Sequence, residues 1–444
     1  MSPISKATRR GFIQTTAALG VGYWVAGRAA ADDSPTAPSK KLNFACVGVG
    51  GMGGGDSGEA AREGNVIAIC DVNENCLDEA AKRFPDAKKF YDFRELFDEM
   101  SGKIDAVTVS TPDHVHAVVS ARALREGKAV YCQKPMAHSI GEVRRIAEIA
   151  REAKVVTQMG NQGTAGSGLR RSAAIVQSGA LGPVSEVHVW TDRPGHYWNQ
   201  GLPRPAASPV PKNMHWNLWL GPAPRRDFAD CYYPKIWRGW WDFGTGALGD
   251  MGCHTMNLPF MALDLRDPIS VAAETSGHDK DSYPKWSIIT YQFAATDKRP
   301  AVKMTWYDGG KRPPLELFEG AEIKDSGSLI VGEKGKLFAP DDYAATRILL
   351  GDVKEPADLT IRESPGHFQE FVAAIKGGQP TVSNFPDYAG PLTEMVLLGN
   401  LAVWTADSGS GPKIEWDAKN LAAKNVPNLE KLIKPDYRPG YSIA

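Results

Sequence analysis

Gly48-Val49-Gly50-Gly51-Met52-Gly53 limits the folds open to this chain more than any other stretch. It follows directly on the apolar run Leu42 to Val47, and a short run of that kind fits a buried strand. The pattern G-x-G-x-x-G therefore stands where a strand turns into a helix. There Gly48 permits the tight turn, Gly50 lets the backbone approach a pyrophosphate, and Gly53 lets helix and strand pack closely. The helix start turns its unpaired N–H groups to the phosphates, and Met52 belongs to the same contact set. A second apolar run, Asn65 to Cys70, ends at Asp71, 18 residues beyond Gly53. That is close to where a ribose-binding acid belongs; the plainer reading of Asp71 is a cap on the next helix. A carboxylate there accepts from a free ribose 2′-hydroxyl and repels a 2′-phosphate. Val72-Asn73-Glu74 supplies no arginine, so NAD is favoured over NADP.

The alternation continues. Ile104 to Ser110 is a further strand, leading into Thr111-Pro112-Asp113-His114-Val115-His116. A helix over Ala117 to Glu126, a strand over Ala129 to Cys132, a helix over Ile140 to Ala153 and a strand over Val155 to Met159 follow. Strands alternating with helices make a doubly wound, mostly parallel sheet. Lys134, in Gln133-Lys134-Pro135, stands at a strand's carboxyl end, where such sheets bind ligands; otherwise it is a solvated surface lysine. Asn161 ends the last strand and is placed to meet cofactor and substrate together, or else forms a polar turn at a domain junction.

From residue 161 the pattern changes. Val184 to Asp192, Ile269 to Ser276, Trp286 to Phe293 and Ala301 to Tyr307 read as strands, several with period-two alternation, and Gly327 to Phe338 as a hairpin. They predict a mixed or antiparallel sheet with one face solvated or used as an interface. Helices are expected at Gly168 to Ser178, His254 to Leu263, His367 to Lys376 and Gly390 to Ala406. The i,i+4 spacing of Asp250 and His254 puts both on one helical face. A histidine near a helix N-terminus is held neutral by the dipole and can accept a proton. The competing reading makes Asp250 an N-cap and His254 a satisfied core residue. Seven of the twelve tryptophans fall between residues 190 and 241, joined by Tyr197, Tyr232 and Tyr233. This stretch reads as loops over a site, with Trp237, Trp240 and Trp241 as substrate-wall candidates and Trp216 and Trp219 as structural.

Four segments in this order are similar to those of the glucose–fructose oxidoreductase / inositol dehydrogenase (Gfo/Idh/MocA) family. They are the Gly48–Gly53 loop, Ser110 to His116, Gln133-Lys134-Pro135, and Gly246 to His254. The resemblance spans nearly all of the chain beyond Leu42. It implies an α/β chain with an N-terminal Rossmann dinucleotide-binding domain (41–160) and a C-terminal α/β domain (161–444) with a large open mixed or antiparallel sheet. It implies a site of Lys134, Asp250 and His254 above the nicotinamide of NAD. Thr111, Pro112, His114, His116 and Asn161 then stand beside the cofactor, and the chain assembles as a homodimer or homotetramer. One departure is that Gln133 replaces the family's usual glutamate. Either Lys134 then loses a charge that favours its protonated form, or another acid supplies it.

Composition excludes several classes. Lys and Arg number 51 against 52 Asp and Glu, without the basic surplus of a nucleic-acid binder. No run of about 18 apolar residues offers a membrane span. Six cysteines are too few for a disulfide scaffold, and they show no metal-ligand spacing. The first 31 residues read as an export signal: Lys6, Arg9 and Arg10, a mildly apolar stretch, then Ala29-Ala30-Ala31. Thr8 to Ile13 resembles the twin-arginine signal, which exports folded proteins, so a periplasmic or otherwise exported destination is expected, with residues 32–40 as a linker. Free NAD is scarce outside the cytoplasm, so an exported chain must carry its cofactor. The leading expectation is an oxidoreductase for a hydroxyl of a sugar, polyol or glycoside. The others are a redox-neutral glycosidase or lyase that oxidises transiently, and a binding protein that uses NAD as structure.

Overall fold

The computed structural model describes residues 41–193, 198 and 200–444. The expected signal (1–31), the linker (32–40) and Tyr197 lie outside them. The first half runs β1 (Leu42–Val47), α1 (Met52–Glu63), β2 (Gly64–Cys70), α2 (Glu74–Arg83), β3 (Lys88–Phe90), α3 (Phe93–Met100), β4 (Ala106–Val109), α4 (Asp113–Arg125), β5 (Ala129–Cys132), α5 (Ile140–Ala153) and β6 (Thr157–Met159). The strands pair in the order β3-β2-β1-β4-β5-β6, every pair parallel. Alternate residues serve opposite faces. Ala45, Val47, Val107, Val109 and Val130 pack with α3, α4 and α5, whereas Phe44, Cys46, Ile69 and Tyr131 face the other way. Burial on both faces explains the unbroken apolar runs.

The second half comprises α6 (Ser167–Gln177), β7 (Val184–Thr191), α7 (Trp216–Leu220), α8 (Gly246–Thr255), α9 (Asn257–Leu263), β8 (Ser270–Thr275), β9 (Ser287–Phe293), β10 (Val302–Tyr307), β11 (Ser326–Gly332), β12 (Gly335–Ala339), β13 (Ile348–Gly351), α10 (His367–Ile375), α11 (Gly390–Thr405), β14 (Ile414–Asp417), β15 (Ala422–Ala423) and α12 (Glu430–Ile433). Its sheet has nine strands in the order β13-β12-β11-β7-β10-β9-β8-β14-β15. Only β7 and β10 pair in parallel, so the sheet is mixed. Along β9 buried and half-buried residues alternate strictly. Val187, Ile289, Met304 and Trp306 face the helices in the main core. The outer face carries Lys303, Thr305 and His188, closed at one end by Trp190, Phe318 and Phe338. Helix α10 crosses back to the first sheet, where Phe368 lies 5.0 Å from the Tyr131 ring. No helix among the described residues is long and apolar enough to cross a membrane.

Candidate active site

The glycine loop is as tight as its sequence demands. Gly48 has φ of 80°, and a β-carbon on Gly53 would lie 2.0 Å from the Gly48 carbonyl oxygen. A β-carbon on Gly50 would meet Cys76 Sγ at 2.8 Å. Gly51 caps α1 without a side chain; Gly53 and Gly54 N–H donate to the Gly50 and Gly51 carbonyl oxygens, so the Met52 N–H at the helix start is the one left for an anion among the described residues. Met52 begins α1 with its side chain exposed, so its backbone is what it offers. Asp71 Oδ2 accepts from Val49 and Gly50 N–H at 3.0 and 3.3 Å, and Oδ1 from Asn73 N–H at 2.9 Å. Burial raises its pKa against those N–H groups. Asp71 is not the cap of α2; Asn73 is, accepting from Asn75 and Cys76 N–H. Asp71 braces the loop and keeps lone pairs for a ribose hydroxyl. These features fit a dinucleotide.

Beneath the loop lies a network whose direction explains Gln133. Its Nε2 donates to Asp56 Oδ2 at 2.9 Å and stands 3.2 Å from Oδ1. Ser110 Oγ donates to the same Oδ2 at 2.6 Å. Asp56 and Gln133 are each 5% exposed. An amide is what a buried carboxylate needs there; a glutamate would set two carboxylates together. Successive residues of an extended chain point to opposite sides, and Gln133 turns to α1 while Lys134 reaches the second half. The charge beside Lys134 comes from Asp250: Nζ donates to Asp250 Oδ1 at 2.6 Å and to its carbonyl oxygen at 2.8 Å.

Asp250 and His254 both lie in α8, four residues apart. The helix begins at Gly246, earlier than expected, with Thr245 as its N-cap residue. Asp250 is therefore not an N-cap, and His254 sits in the last turn. Three contacts fix the start of α8: Thr245 Oγ1 donates to Asp113 Oδ2 at 2.6 Å, Asn400 Nδ2 to the Thr245 carbonyl at 2.8 Å, and Ala247 N–H to Gln200 Oε1 at 2.8 Å. A β-carbon on Gly249 would lie 1.8 Å from Thr245 Oγ1. The dipole argument for a neutral His254 is thus corrected, because the last turn of a helix favours positive charge. Burial, followed by the Lys134 charge, holds its pKa well below the ordinary histidine value despite Asp250. His254 Nδ1 is buried without a hydrogen-bond partner among the described residues, and Tyr343 lies edge-on 4.9 Å from the ring. Burial alone would raise the Asp250 carboxyl, but Lys134 and Arg238 hold it at about 2. Arg238 Nε is 3.2 Å from Asp250 Oδ1. Sequence reasoning passed over Arg238, and nothing local marks it among its aromatic neighbours.

The other expected residues divide. Asn161 is fully buried; its Oδ1 accepts from Ser383 Oγ at 2.6 Å, while Nδ2 has no partner among the described residues. Thr111 and Pro112 lie half-buried between β4 and α4. His116 does not present a free nitrogen to a cofactor. Its ring spans the Pro135 and Thr111 carbonyl oxygens, each at 2.7 Å. Burial opposes charge on it, but Cys132, Asp113 and the Pro135 carbonyl raise its pKa to about 9, so both nitrogens donate. It ties the loop before α4 to the turn that carries Lys134. His114 is also corrected as a cofactor contact. It packs between Trp219 and Phe243, at 5.2 and 5.3 Å, with its nitrogens 3.0 and 3.1 Å from their carbonyl oxygens. Burial lowers it to about 3.

The aromatic segment is mostly its own core. Trp216 and Trp219 stack at 4.7 Å. Trp240 is 3% exposed and edge-on to Tyr232 at 5.3 Å. Trp237 is 4% exposed, with the Arg238 guanidinium 4.2 Å above its ring. Neither offers an open face to a sugar, so the wall assigned to Trp237 and Trp240 is withdrawn. The segment also clasps the rim beside Asp71. Met214 bridges Asn73, Glu74 N–H donates to the Asn213 carbonyl and His215 N–H to that of Val72, each at 2.9 Å. Asn73 Nδ2 donates to the Tyr233 hydroxyl at 2.8 Å, which stands 3.7 Å from Cys76 Sγ.

Comparison with known proteins places this geometry. Residues 42–161 match the family model described as "Oxidoreductase family, NAD-binding Rossmann fold". Residues 166–443 match "Oxidoreductase family, C-terminal alpha/beta domain". An inositol 2-dehydrogenase of Gluconacetobacter diazotrophicus is 31% identical over 153 residues, 33% of this chain and 44% of that one. A levoglucosan dehydrogenase of Pseudarthrobacter phenanthrenivorans is 25% identical over 191 residues, 43% of this chain and 40% of that one. The chain thus aligns with less than half the length of these relatives. Among solved structures, the WlbA dehydrogenase of Bordetella pertussis, in complex with NADH and UDP-GlcNAcA, has a TM-score of 0.59 at 17% identity, covering 83% of this chain and 97% of that one. An inositol dehydrogenase homolog of Azotobacter vinelandii, complexed with NADH and myo-inositol, has a TM-score of 0.57 at 16% identity over 85% and 98%. Both halves matched in order, the parallel six-stranded sheet, and the nine-stranded mixed sheet lead to one conclusion: the chain belongs to the Gfo/Idh/MocA oxidoreductase family.

Proposed function

We propose that this chain oxidises a hydroxyl of a sugar, polyol or glycoside with NAD, and that it is exported through the twin-arginine route holding that cofactor. One observation carries the chemistry: Lys134 from the first half meets Asp250 from the second at 2.6 Å, four residues before His254, whose buried Nδ1 has no hydrogen-bond partner among the described residues. NAD, when bound, supplies the hydride acceptor. Met52 would donate its backbone N–H to the pyrophosphate, Gly48, Gly50 and Gly53 would let the loop approach it closely, and Asp71 would hold the ribose. Thr111, Pro112 and Asn161 would stand beside the cofactor.

His254 is neutral at physiological pH and accepts the hydroxyl proton as hydride leaves the same carbon. Lys134 donates a hydrogen bond to the reacting oxygen and stabilises the negative charge that develops there. Asp250 orients Lys134. Asn161 offers its Nδ2, which has no partner among the described residues, to substrate or cofactor. The Asp71 carboxylate, with no arginine in Val72-Asn73-Glu74, supports NAD over NADP. The outer face of the nine-stranded sheet supports assembly into a homodimer or homotetramer, which sedimentation tests.

The experiment is to purify the mature protein without added nucleotide, denature it, and identify what is released. Close to one NAD per chain supports the reading; empty protein that binds NAD weakly overturns the retained cofactor. In His254→Asn, turnover falls by about 100- to 10,000-fold while the NAD content stays unchanged. Undiminished turnover removes His254 from the mechanism. Cell fractionation of the tagged chain, with Arg9 and Arg10 both replaced by Lys as the control, tests export.

A further inference from the structure

We infer that the substrate carries a carboxylate and that Arg238 recognises it, so that the proposed oxidoreductase acts on an acidic sugar such as a uronate or aldonate. The inference rests on the oxidoreductase reading for the place where substrate sits, and on Arg238 for the rest.

Arg238 is held in place, and apart from the approach of Nε to Asp250 its donors have no partner among the described residues. Its guanidinium lies 4.9 Å from the Trp198 ring centroid and 4.2 Å from that of Trp237. Guanidinium groups stack on aromatic rings in this way, and the stacking immobilises them without using their N–H groups. The backbone is pinned as well: a β-carbon on Gly244 would lie 2.4 Å from Arg238 Cα. Its ionic neighbour is Asp250, with Nε 3.2 Å from Oδ1. Among the described residues no acceptor takes a hydrogen bond from this guanidinium. Its side chain is 24% exposed, which is open enough for a ligand to reach.

The charge count at this point is uneven. Lys134 Nζ and Arg238 Nε approach the same Asp250 oxygen, at 2.6 and 3.2 Å. Two cations thus share one carboxylate. Arg193, which also acts electrostatically on His254, is committed to Asp342 at 2.9 Å and does not alter the balance. One positive charge is left over beside the reacting groups. A guanidinium fork matches a carboxylate's two oxygens, whereas the hydroxyls of a neutral sugar fill donors without cancelling the charge. The acid would bind next to Lys134, so its carboxylate and its reacting hydroxyl belong to neighbouring parts of one small molecule.

The test is binding to the NAD-loaded full chain, with pairs of ligands that differ only in the carboxylate: glucuronate against glucose, galacturonate against galactose. Titration calorimetry gives the affinity, and quenching of tryptophan fluorescence reports contact, since Trp198 and Trp237 flank Arg238. Hydrogen bonds between charged partners change affinity by roughly 10- to 150-fold, so at least one acid is expected to bind about tenfold or more tighter than its neutral twin. Arg238→Gln is expected to bring the two to near parity, and Arg238→Lys to retain part of the preference. Should Arg238→Gln not fold, the parent's salt response carries the test: added NaCl weakens the acid and leaves the neutral twin unchanged. Equal binding of acid and neutral sugar, an acid preference that survives in Arg238→Gln, or a sugar phosphate that outbinds every acid would each overturn the assignment. An acid that binds through Arg238 but is never oxidised would keep the recognition of a carboxylate by Arg238 and overturn the oxidoreductase reading on which its role as substrate rests. A neutral sugar that is oxidised, with no acid preferred, would do the reverse.

Discussion

Replacing Gln133 by Glu tests the network beneath the glycine loop quantitatively. The Gln133 amide nitrogen lies 2.9 and 3.2 Å from the two Asp56 oxygens, with both residues buried. In Gln133→Glu, an oxygen takes the place of that nitrogen. Two carboxylates at roughly 3 Å repel by about 5 kcal/mol at an effective dielectric of about 20. The pair can escape by taking up one proton. For a carboxyl that ionises near pH 4.3 when unfolded, holding the proton at pH 7 costs about 4 kcal/mol, and this smaller figure sets the loss. The sign follows from proton counting. The folded variant binds one more proton than the unfolded chain, so stability falls as pH rises, by about 1.4 kcal/mol per unit between about pH 4.3 and 7. Urea titrations of variant and parent at half-unit pH steps measure the difference directly. It should be small near pH 4 and about 4 kcal/mol at pH 7. Asp56→Asn added to Gln133→Glu reverses donor and acceptor and should recover most of the loss. A flat difference across pH, or no recovery in the double variant, would refute the argument that Gln133 is matched to Asp56.

Other outcomes follow from the same geometry. Gly53→Ala places a β-carbon 2.0 Å from the Gly48 carbonyl oxygen and should abolish NAD retention, measured as nucleotide released on denaturation. Gly55→Ala, in the same helix with nothing within 4 Å of its β-carbon, should instead raise stability by up to about 1 kcal/mol. The Asp250 carboxyl, depressed to about 2 in the folded chain, contributes about 2 kcal/mol that is present above its unfolded pKa and lost as pH falls through about 2. Acid titration of stability should show this in the parent and not in Asp250→Asn. Tyr233→Phe removes the hydroxyl that Asn73 donates to and should speed nucleotide loss several-fold in a chase with excess unlabelled NAD.

The first half was legible because its physics is local. Strands buried on both faces appear as unbroken apolar runs, and a glycine spacing with a following acid has few structural meanings. The α8 pair was legible as a spacing, but not its helix start. Gly246 and Gly249 look like helix breakers in sequence, yet they are where neighbouring groups crowd the backbone. Starting eight residues earlier moves His254 from the first turn to the last and replaces dipole by burial as the cause of its neutrality. The direction of Gln133 was available from strand alternation alone, since its neighbour Lys134 was already assigned to the site. Arg238 and the burial of Trp237 and Trp240 were not available. They depend on how an irregular segment folds onto a distant helix, which no periodicity encodes. His114 and His116 belong to a motif whose rings turned out to join elements together by hydrogen bonds to carbonyls.

The clasp over the Asp71 rim sets an order of events during synthesis. The last strand of the first sheet is complete at Met159, but the covering residues Asn213 to Tyr233 emerge later, and α10 later still. At about 5–20 residues per second, the interval before Tyr233 is made is on the order of 4–15 s. For that time residues 42–159 are without the Asn213–Tyr233 segment that covers the rim. A molecule of NAD that enters then meets no barrier from the second half, whereas one arriving after completion must wait for the Asn73–Tyr233 contact and its neighbours to part. On the proposed reading, in which the chain is exported holding its cofactor, occupancy of the finished protein would reflect the nucleotide concentration where the chain is translated.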